Sequence, residues 1–254
     1  MQGMFVLTRR DGQPADCILM YRPADMVRLS SITAYELSAQ DKGVSLLTVH
    51  GMLDYAQSPL CRSVFFARYF EDPTDTLQPC GSCDNCKRGP PNTLVGDVSF
   101  AAWQTVQMAA VVSGLGGRPT FTLLADLASG RGRGMFTDAT GSSVRYDDTA
   151  SLGHTSLTRA NCERLLIQLL VERYLQEDLG TLLLTVANAF NVNVYLVPGR
   201  RAHELLGIPT DSVRTISGAV RMVLGVDAPR KRKIPKSEDT PPEKHPHVIE
   251  LDSD

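Results

Sequence analysis

The sequence predicts a mainly helical α+β protein made of two small units and a polar C-terminal tail. Three observations carry that expectation. Apolar residues recur at helical spacing in several separate stretches. Three cysteines crowd into the short run "CGSCDNC", directly after one such stretch. Beyond the last long helix, Val192, Val194 and Leu196 alternate with Asn191, Asn193 and Tyr195, the period of a half-exposed strand. With 254 residues, 43% of them hydrophobic, the chain has material for one or two compact cores. Its 26 Lys+Arg against 28 Asp+Glu give a formal charge of −2, which argues against a polycationic, histone-like protein but leaves room for a local basic patch. No apolar run approaches the roughly 18–20 residues of a membrane span. The N-terminal residues lack the charge, apolar run and cleavage site of a signal peptide, so no membrane partner is expected.

Taken in order, "ADCILMYR" (15–22) reads as a strand and "PADMVRLSSI" as a helix start. Residues 43–56 show helical spacing at Leu46, Val49 and Leu53. "CRSVFFARYF" puts Val64, Phe65, Phe66, Tyr69 and Phe70 on a broad apolar face and leads from Cys61 to the cysteine run. Two prolines in "KRGPPN" (87–92) mark a linker. A second unit follows: a strong helix over "FAAWQTVQMAAVVSGL", a shorter one over "TFTLLADLAS", a long polar, glycine-rich loop at 129–151, and a helix over "RANCERLLIQLLVERYL" capped by Thr158. The strand-like runs "TLLLTV" and "NVNVYLV" around "ANAF" then make a hairpin. Three helices followed by a hairpin is the order of a winged helix. Past about Gly207 the apolar pattern weakens, and the Pro-, Lys- and Glu-rich residues 228–247 are expected to be disordered.

Cys80, Cys83 and Cys86 form a tight knuckle whose thiolates converge on one centre, with Gly81 easing the turn. Zinc takes four tetrahedral ligands, and Cys61 is the nearest fourth, giving C-x18-C-x2-C-x2-C. An iron–sulfur cluster uses the same four donors. A closed site of this kind holds a fold and has no open position for catalysis. Cys17 and Cys162 stand in apolar settings and read as buried thiols. His50, His154 and His203 have no acid partnered to them in the sequence and read as surface or core residues.

The run "CRSVFFARYF…PCGSCDNC" resembles the zinc-binding module of RecQ-family DNA helicases. "RRDGQPADCILMYRPADM" is similar to the end of that family's second helicase lobe, and 97–206 to the winged-helix (RQC) domain that follows the zinc module. The resemblance implies a lobe remnant at 1–35, a zinc-binding subdomain at 36–92, a winged-helix domain at 97–208 and a tail at 209–254. There are departures. No G-x-x-x-x-G-K-[ST] occurs to cradle nucleotide phosphates, and the last helicase motif survives only as Arg10-Asp11-Gly12. Tyr69-Phe70-Glu71-Asp72 stands where the family has Tyr-Phe-Gly-Glu. The chain is therefore expected to bind structural Zn2+ but not to hydrolyse ATP with Mg2+ or unwind DNA unless a helicase core is supplied elsewhere. It looks like a C-terminal piece of such a helicase.

The resemblance implies binding to duplex, forked or junction DNA, with the wing parting the end of the duplex. Asn188 and Phe190 are the expected tip, where a ring replaces lost base stacking. Ser129, Arg131 and Arg133 in "SGRGRG" are the expected phosphate contacts, with Arg159, Arg200 and Arg201 as further candidates. Residues 97–208 hold nine Arg and no Lys against ten acids, so a binding face is a patch and its affinity salt-sensitive. In the tail, Arg230, Lys231, Arg232 and Lys233 resemble a nuclear-localisation patch, implying a nuclear location. Val248, Ile249 and Leu251, flanked by acids, look like a SUMO-interacting strand. The competing expectation is a winged-helix protein–protein adaptor in which zinc is only a clip.

Overall fold

The computed structural model describes residues 2–8, 14–36, 39–74, 77–88, 95–150, 153–180, 193–209 and 211–224. It is the mixed, mainly helical α+β architecture that the periodicities predict.

Strands β1 (Gln2–Thr8) and β2 (Pro14–Met20) form an antiparallel pair, with Gln2 opposite Met20 and Thr8 opposite Pro14. Helices α1 (Asp25–Glu36) and α2 (Ala39–Gln57) follow. Their inner faces place Met26 and Leu53 in the core. Helix α3 (Arg62–Tyr69) begins directly after Cys61, and its buried positions Arg62, Val64, Phe65 and Ala67 make one stripe. The short α4 (Asp84–Arg88) closes the cysteine run.

The second unit opens with β3 (Val95–Asp97) and α5 (Ser99–Gly114). Helix α5 is apolar on nearly every side and is buried as such a helix must be, with Ala102, Val106, Ala109 and Val112 all fully covered. Thr120 caps α6 (Phe121–Ala128), its side chain accepting the Leu123 N–H at 3.3 Å. Thr158 caps α7 (Arg159–Val171) as expected, accepting the Asn161 N–H at 3.4 Å.

Three sequence expectations need correction. First, the glycine-rich stretch at 129–151 is not all loop. It contains a small hairpin, β4 (Met135–Thr137) against β5 (Ser143–Arg145), then a 3-10 turn at Tyr146–Thr149. Strands of three residues are too short to show a period of two. Here the Phe136 and Tyr146 rings at 4.7 Å and the Asp138 carboxylate, which accepts from Thr140 and Ser142, hold the hairpin.

Second, the third helix does not run through Leu175. Arg173 turns left-handed at φ 64°, the Tyr174 N–H bonds the Leu169 carbonyl at 2.8 Å, and the Arg173 N–H bonds that of Leu170 at 3.0 Å. These are the paired bonds of a Schellman stop, formed here without glycine. The first hairpin strand is therefore β6 (Leu175–Gly180), paired with β7 (Asn193–Pro198) from Leu175–Pro198 to Gly180–Asn193. The "TLLLTV" and "ANAF" runs, with Asn188 and Phe190, lie outside the described residues. Gly199 closes the base so tightly that a Cβ there would lie 2.4 Å from the Arg173 carbonyl oxygen.

Third, the fold does not stop at 208. After α8 (Ala202–Leu206), residues Val213, Val220 and Met222 are buried. Strand β8 (Arg221–Val223) pairs with β3, Gly96 opposite Met222. The tail expected from 209 thus contributes part of the domain, because a few apolar residues returning to a distant strand leave no local periodicity. The Asp97 carboxylate secures this closure, accepting from the Ser217 hydroxyl and Gly218 N–H, both at 2.6 Å, and from the Ser99 N–H and hydroxyl.

One continuous core runs from Met26 and Leu53 through Val106, Phe121, Leu124, Leu165 and Leu169 to Leu196, Val220 and Met222. Helices α1 and α2 therefore share the core of the second unit. Only a small separate cluster, Val64 with Cys61, Cys83 and Cys86, surrounds the cysteines.

Candidate metal centre and basic cavity

Cys61 stands at the N-terminus of α3, Cys80 and Cys83 in the loop before α4, and Cys86 on α4. Their four sulfurs all lie within 4.8 Å of one another, and those of Cys61 and Cys83 are 3.9 Å apart. A zinc–sulfur bond of about 2.3 Å in a tetrahedron needs sulfurs about 3.8 Å apart. The donor set and its spacing therefore fit a closed four-thiolate site. Gly81, at φ 70°, makes the turn.

Backbone donors prepare the sulfurs for negative charge. The Cys80 N–H points at Cys61 Sγ at 3.2 Å, and the Arg62 and Cys86 N–H groups at Cys83 Sγ, each at 3.4 Å. Burial opposes ionisation of Cys80, yet donors from Ser82 and Cys83 outweigh it and bring that thiol down to about 6. Burial, reinforced by the neighbouring sulfurs, pushes Cys86 up to about 12. A bound cation supplies the charge that lets all four thiolates coexist.

Around the sulfurs lies a set of polar anchors whose roles the sequence did not reveal. Arg62, with a side chain only 6% exposed, donates to both Asp84 oxygens at 2.9 and 3.0 Å. It also donates to the Tyr55 carbonyl at the end of α2 and lies over the Tyr55 ring at 4.8 Å. Burial would raise the pKa of Asp84, but the Arg62 guanidinium more than offsets this and holds it below the usual carboxylate range. Asn85 donates to the Ser58 and Leu60 carbonyls at 2.9 and 2.6 Å. The knuckle is thus tied to the turn between α2 and α3 by side chains adjacent to its own ligands. Cys17 and Cys162 stay apart from it; Cys17 is half-buried, and burial pushes the thiol of fully buried Cys162 up.

The expected DNA-contact residues fall into separate places. Arg131, Arg133 and the unanticipated Arg145 are exposed and line one open cavity of about 800 Å3, with Gly130, Gly132, Gly134 and Asp147. None of the three arginines makes an ion pair among the described residues. Arg145 was missed because it lies on β5, inside a stretch that reads as loop. The Ser129 hydroxyl is used locally, donating to the Asp126 carbonyl at 3.1 Å. Arg159 is engaged by Asp126 and Glu163. Arg201 bonds Glu204 and the Glu172 carbonyl and covers the Tyr174 ring at 4.5 Å, so it braces the hairpin base. Arg200 is exposed beside it, its carbonyl taken by His203.

Two histidines read as lacking an acid have one. His50 meets Glu177 at 3.0 Å and His154 meets Asp147 at 3.5 Å. The His50 pair spans 127 residues, so no local pattern could show it. Residues 230–233 and 248–251 lie outside the described residues. No described helix is long and apolar enough to cross a membrane.

Residues 23–87 match the family described as RecQ zinc-binding. The chain is 33% identical over 182 residues to the putative ATP-dependent DNA helicase Q1 of Caenorhabditis elegans, which covers 66% of this chain and 24% of that protein. It is 29% identical over 198 residues to the ATP-dependent DNA helicase Q-like 2 of Arabidopsis thaliana, covering 78% and 23%. Against the rat ATP-dependent DNA helicase Q1 it is 25% identical, covering 77% and 28%. A zinc-binding module of the RecQ type is thus joined to a further helical unit, and the chain spans about a quarter of the relatives it matches. These matches fit a C-terminal fragment of a RecQ-type helicase.

Proposed function

We propose that this chain supplies structure-selective DNA binding to a RecQ-type 3′–5′ helicase acting in recombination, repair and replication. In this reading the four cysteines hold one structural Zn2+, and residues 95–224 are a winged-helix domain whose hairpin engages duplex ends, forks or junctions. Chemistry with ATP and Mg2+ enters only with a helicase core. The observation that carries the DNA reading is the gathering of Arg131, Arg133 and Arg145, uncommitted to acids, around one glycine-lined cavity. Exposed guanidinium groups on a turn that lets backbone approach closely suit phosphate oxygens, and backbone contacts select shape over sequence. From sequence alone, Arg230–Lys233 direct the protein to the nucleus, and Val248–Leu251 recruit SUMO or SUMOylated partners.

The test is a salt titration of forked-DNA binding by the wild type, the Arg131→Ala/Arg133→Ala pair and Phe190→Ala. Binding that weakens steeply with salt and is lost in the arginine pair supports the reading; no detectable binding at low salt refutes it. The adaptor reading draws on a specific feature, the exposed rings of Phe66, Tyr69 and Phe70 along α3, which suit a protein partner.

A further inference from the structure

Strand β6 breaks its own pattern. Leu175 and Glu177 share the inward face, and Leu175 is 1% exposed, so position 177 belongs to an apolar residue. It holds a carboxylate whose side chain is only 3% exposed. A buried charge persists only where donors satisfy it. Among the described residues, every hydrogen bond to that carboxylate comes from the zinc module. The Ser30 hydroxyl on α1 donates to Oε1 at 2.9 Å, and His50 Nε2 on α2 lies 3.1 and 3.0 Å from Oε1 and Oε2. Ser30 is fully buried and the His50 side chain 16% exposed. The next residue, Asp178, faces the other way and pairs with Arg118, whose guanidinium also covers the Tyr195 ring of β7 at 4.6 Å. The hairpin base is therefore gripped on both faces, on one by its own domain and on the other by α1 and α2.

We propose that Glu177 is the positioning residue through which α1 and α2 set the β6–β7 hairpin, so that duplex-end engagement belongs to the two units jointly. Ser30 and His50 are its two holders. A hairpin that shifts away from α1 and α2 strips the carboxylate of all its donors, so intermediate orientations are disfavoured. The consequence for DNA rests on the winged-helix reading above; the consequence for the hairpin does not.

The experiment uses the zinc-loaded full chain and its Glu177→Leu, His50→Leu, Glu177→Gln and combined Leu variants. Amide hydrogen exchange over 175–180 and 193–198 is read first. Losing a charged hydrogen bond should speed exchange there by about ten- to a hundredfold in either Leu variant. The combined variant should be no faster than either alone. Glu177→Gln, which keeps an acceptor oxygen, should stay within a few-fold of wild type, and α5 should be unaffected throughout. Unchanged exchange in the single variants, or additive acceleration in the pair, overturns the proposal. If Glu177→Leu does not fold, Ser30→Ala removes one donor with little change in volume and should give a smaller acceleration of the same segments; none overturns the proposal. Forked and closed-circular duplexes are then titrated: the Leu variants should lose preference for the fork while keeping affinity for the closed circle, which has no end, whereas Arg131→Ala weakens both. A wild type that binds neither DNA refutes the DNA reading and leaves the exchange result to judge Glu177.

Discussion

Replacing Arg62 by Ala is the sharpest perturbation of the metal centre that leaves every ligand in place. The guanidinium is buried, bonds Asp84 through both oxygens, and reaches the Tyr55 carbonyl and ring. Removing one partner of a buried pair costs about 3–5 kcal/mol, chiefly because the other charge is left uncompensated. Here Asp84 keeps a second cation, Arg88 at 3.1 Å, whose side chain is 30% exposed and so compensates weakly. The lower end, about 3 kcal/mol, is the expectation, a large share of the 5–15 kcal/mol that typically holds a domain together. Charged entirely to organising the four sulfurs, it corresponds to zinc dissociation about a hundredfold easier. Arg62→Lys keeps the charge but cannot make the two-oxygen fork, and should fall between. Competition with a chromogenic chelator and urea unfolding at saturating zinc measure the two quantities. An Arg62→Ala protein with zinc affinity within twofold of wild type and an unmoved midpoint would refute the reasoning.

Purified protein should carry one zinc per chain by elemental analysis; Cys61→Ser, Cys80→Ser, Cys83→Ser or Cys86→Ser should each lower that content and the unfolding midpoint, while Cys17→Ser and Cys162→Ser should leave it unchanged. Mutating Arg131, Arg133 or Arg145 singly to Ala should lower the slope of log affinity against log salt by about one, measured by fluorescence anisotropy on forked DNA. For Asp97, hydrogen bonds from Ser217 and Ser99, aided by the Gly218 N–H, depress its pKa in the folded state. The stability it adds is therefore complete above its unfolded value of about 3.9 and is lost as pH falls through the depressed folded value. Urea midpoints of wild type and Asp97→Asn should converge as pH falls from 5 towards 2; a constant gap would show that the carboxylate's charge contributes nothing.

The parts of this protein that were legible in its sequence are those written in local chemistry. Thr158 announces its helix because a cap acts on an N–H three residues away, and the knuckle announces its metal because three ligands lie within one turn of chain. What stayed hidden is written across distance or in backbone angles. Nothing in "LLVERYLQED" marks Arg173 as a left-handed stop, since glycine is the usual signal, so the helix read on to Leu175 and the first hairpin strand was placed beyond its true position. The β3–β8 pair joins residues more than a hundred positions apart, and Asp97 looks like any surface acid until Ser217 and Gly218 arrive. Arg145 sits on a strand of three residues, below the length at which alternation can be seen.

The shared core bears on how zinc can matter to DNA. Val64 and the cysteines form a cluster too small to stand alone, so the metal supplies what apolar burial there cannot. The end of α2 is bound to that cluster through Tyr55 and Arg62, while the middle of α2 is bound to the hairpin through His50 and Glu177. Leu53, between them, lies in the core common to both units. A single helix thus touches the metal centre, the core and the hairpin. Loss of zinc loosens one end of a rigid rod whose other contacts fix a strand of the proposed DNA-engaging hairpin. Chelation should therefore speed amide exchange in β6 as well as around Cys80–Cys86, although no cysteine lies on that strand; exchange confined to the cysteine loop would mean that α2 does not transmit the loss.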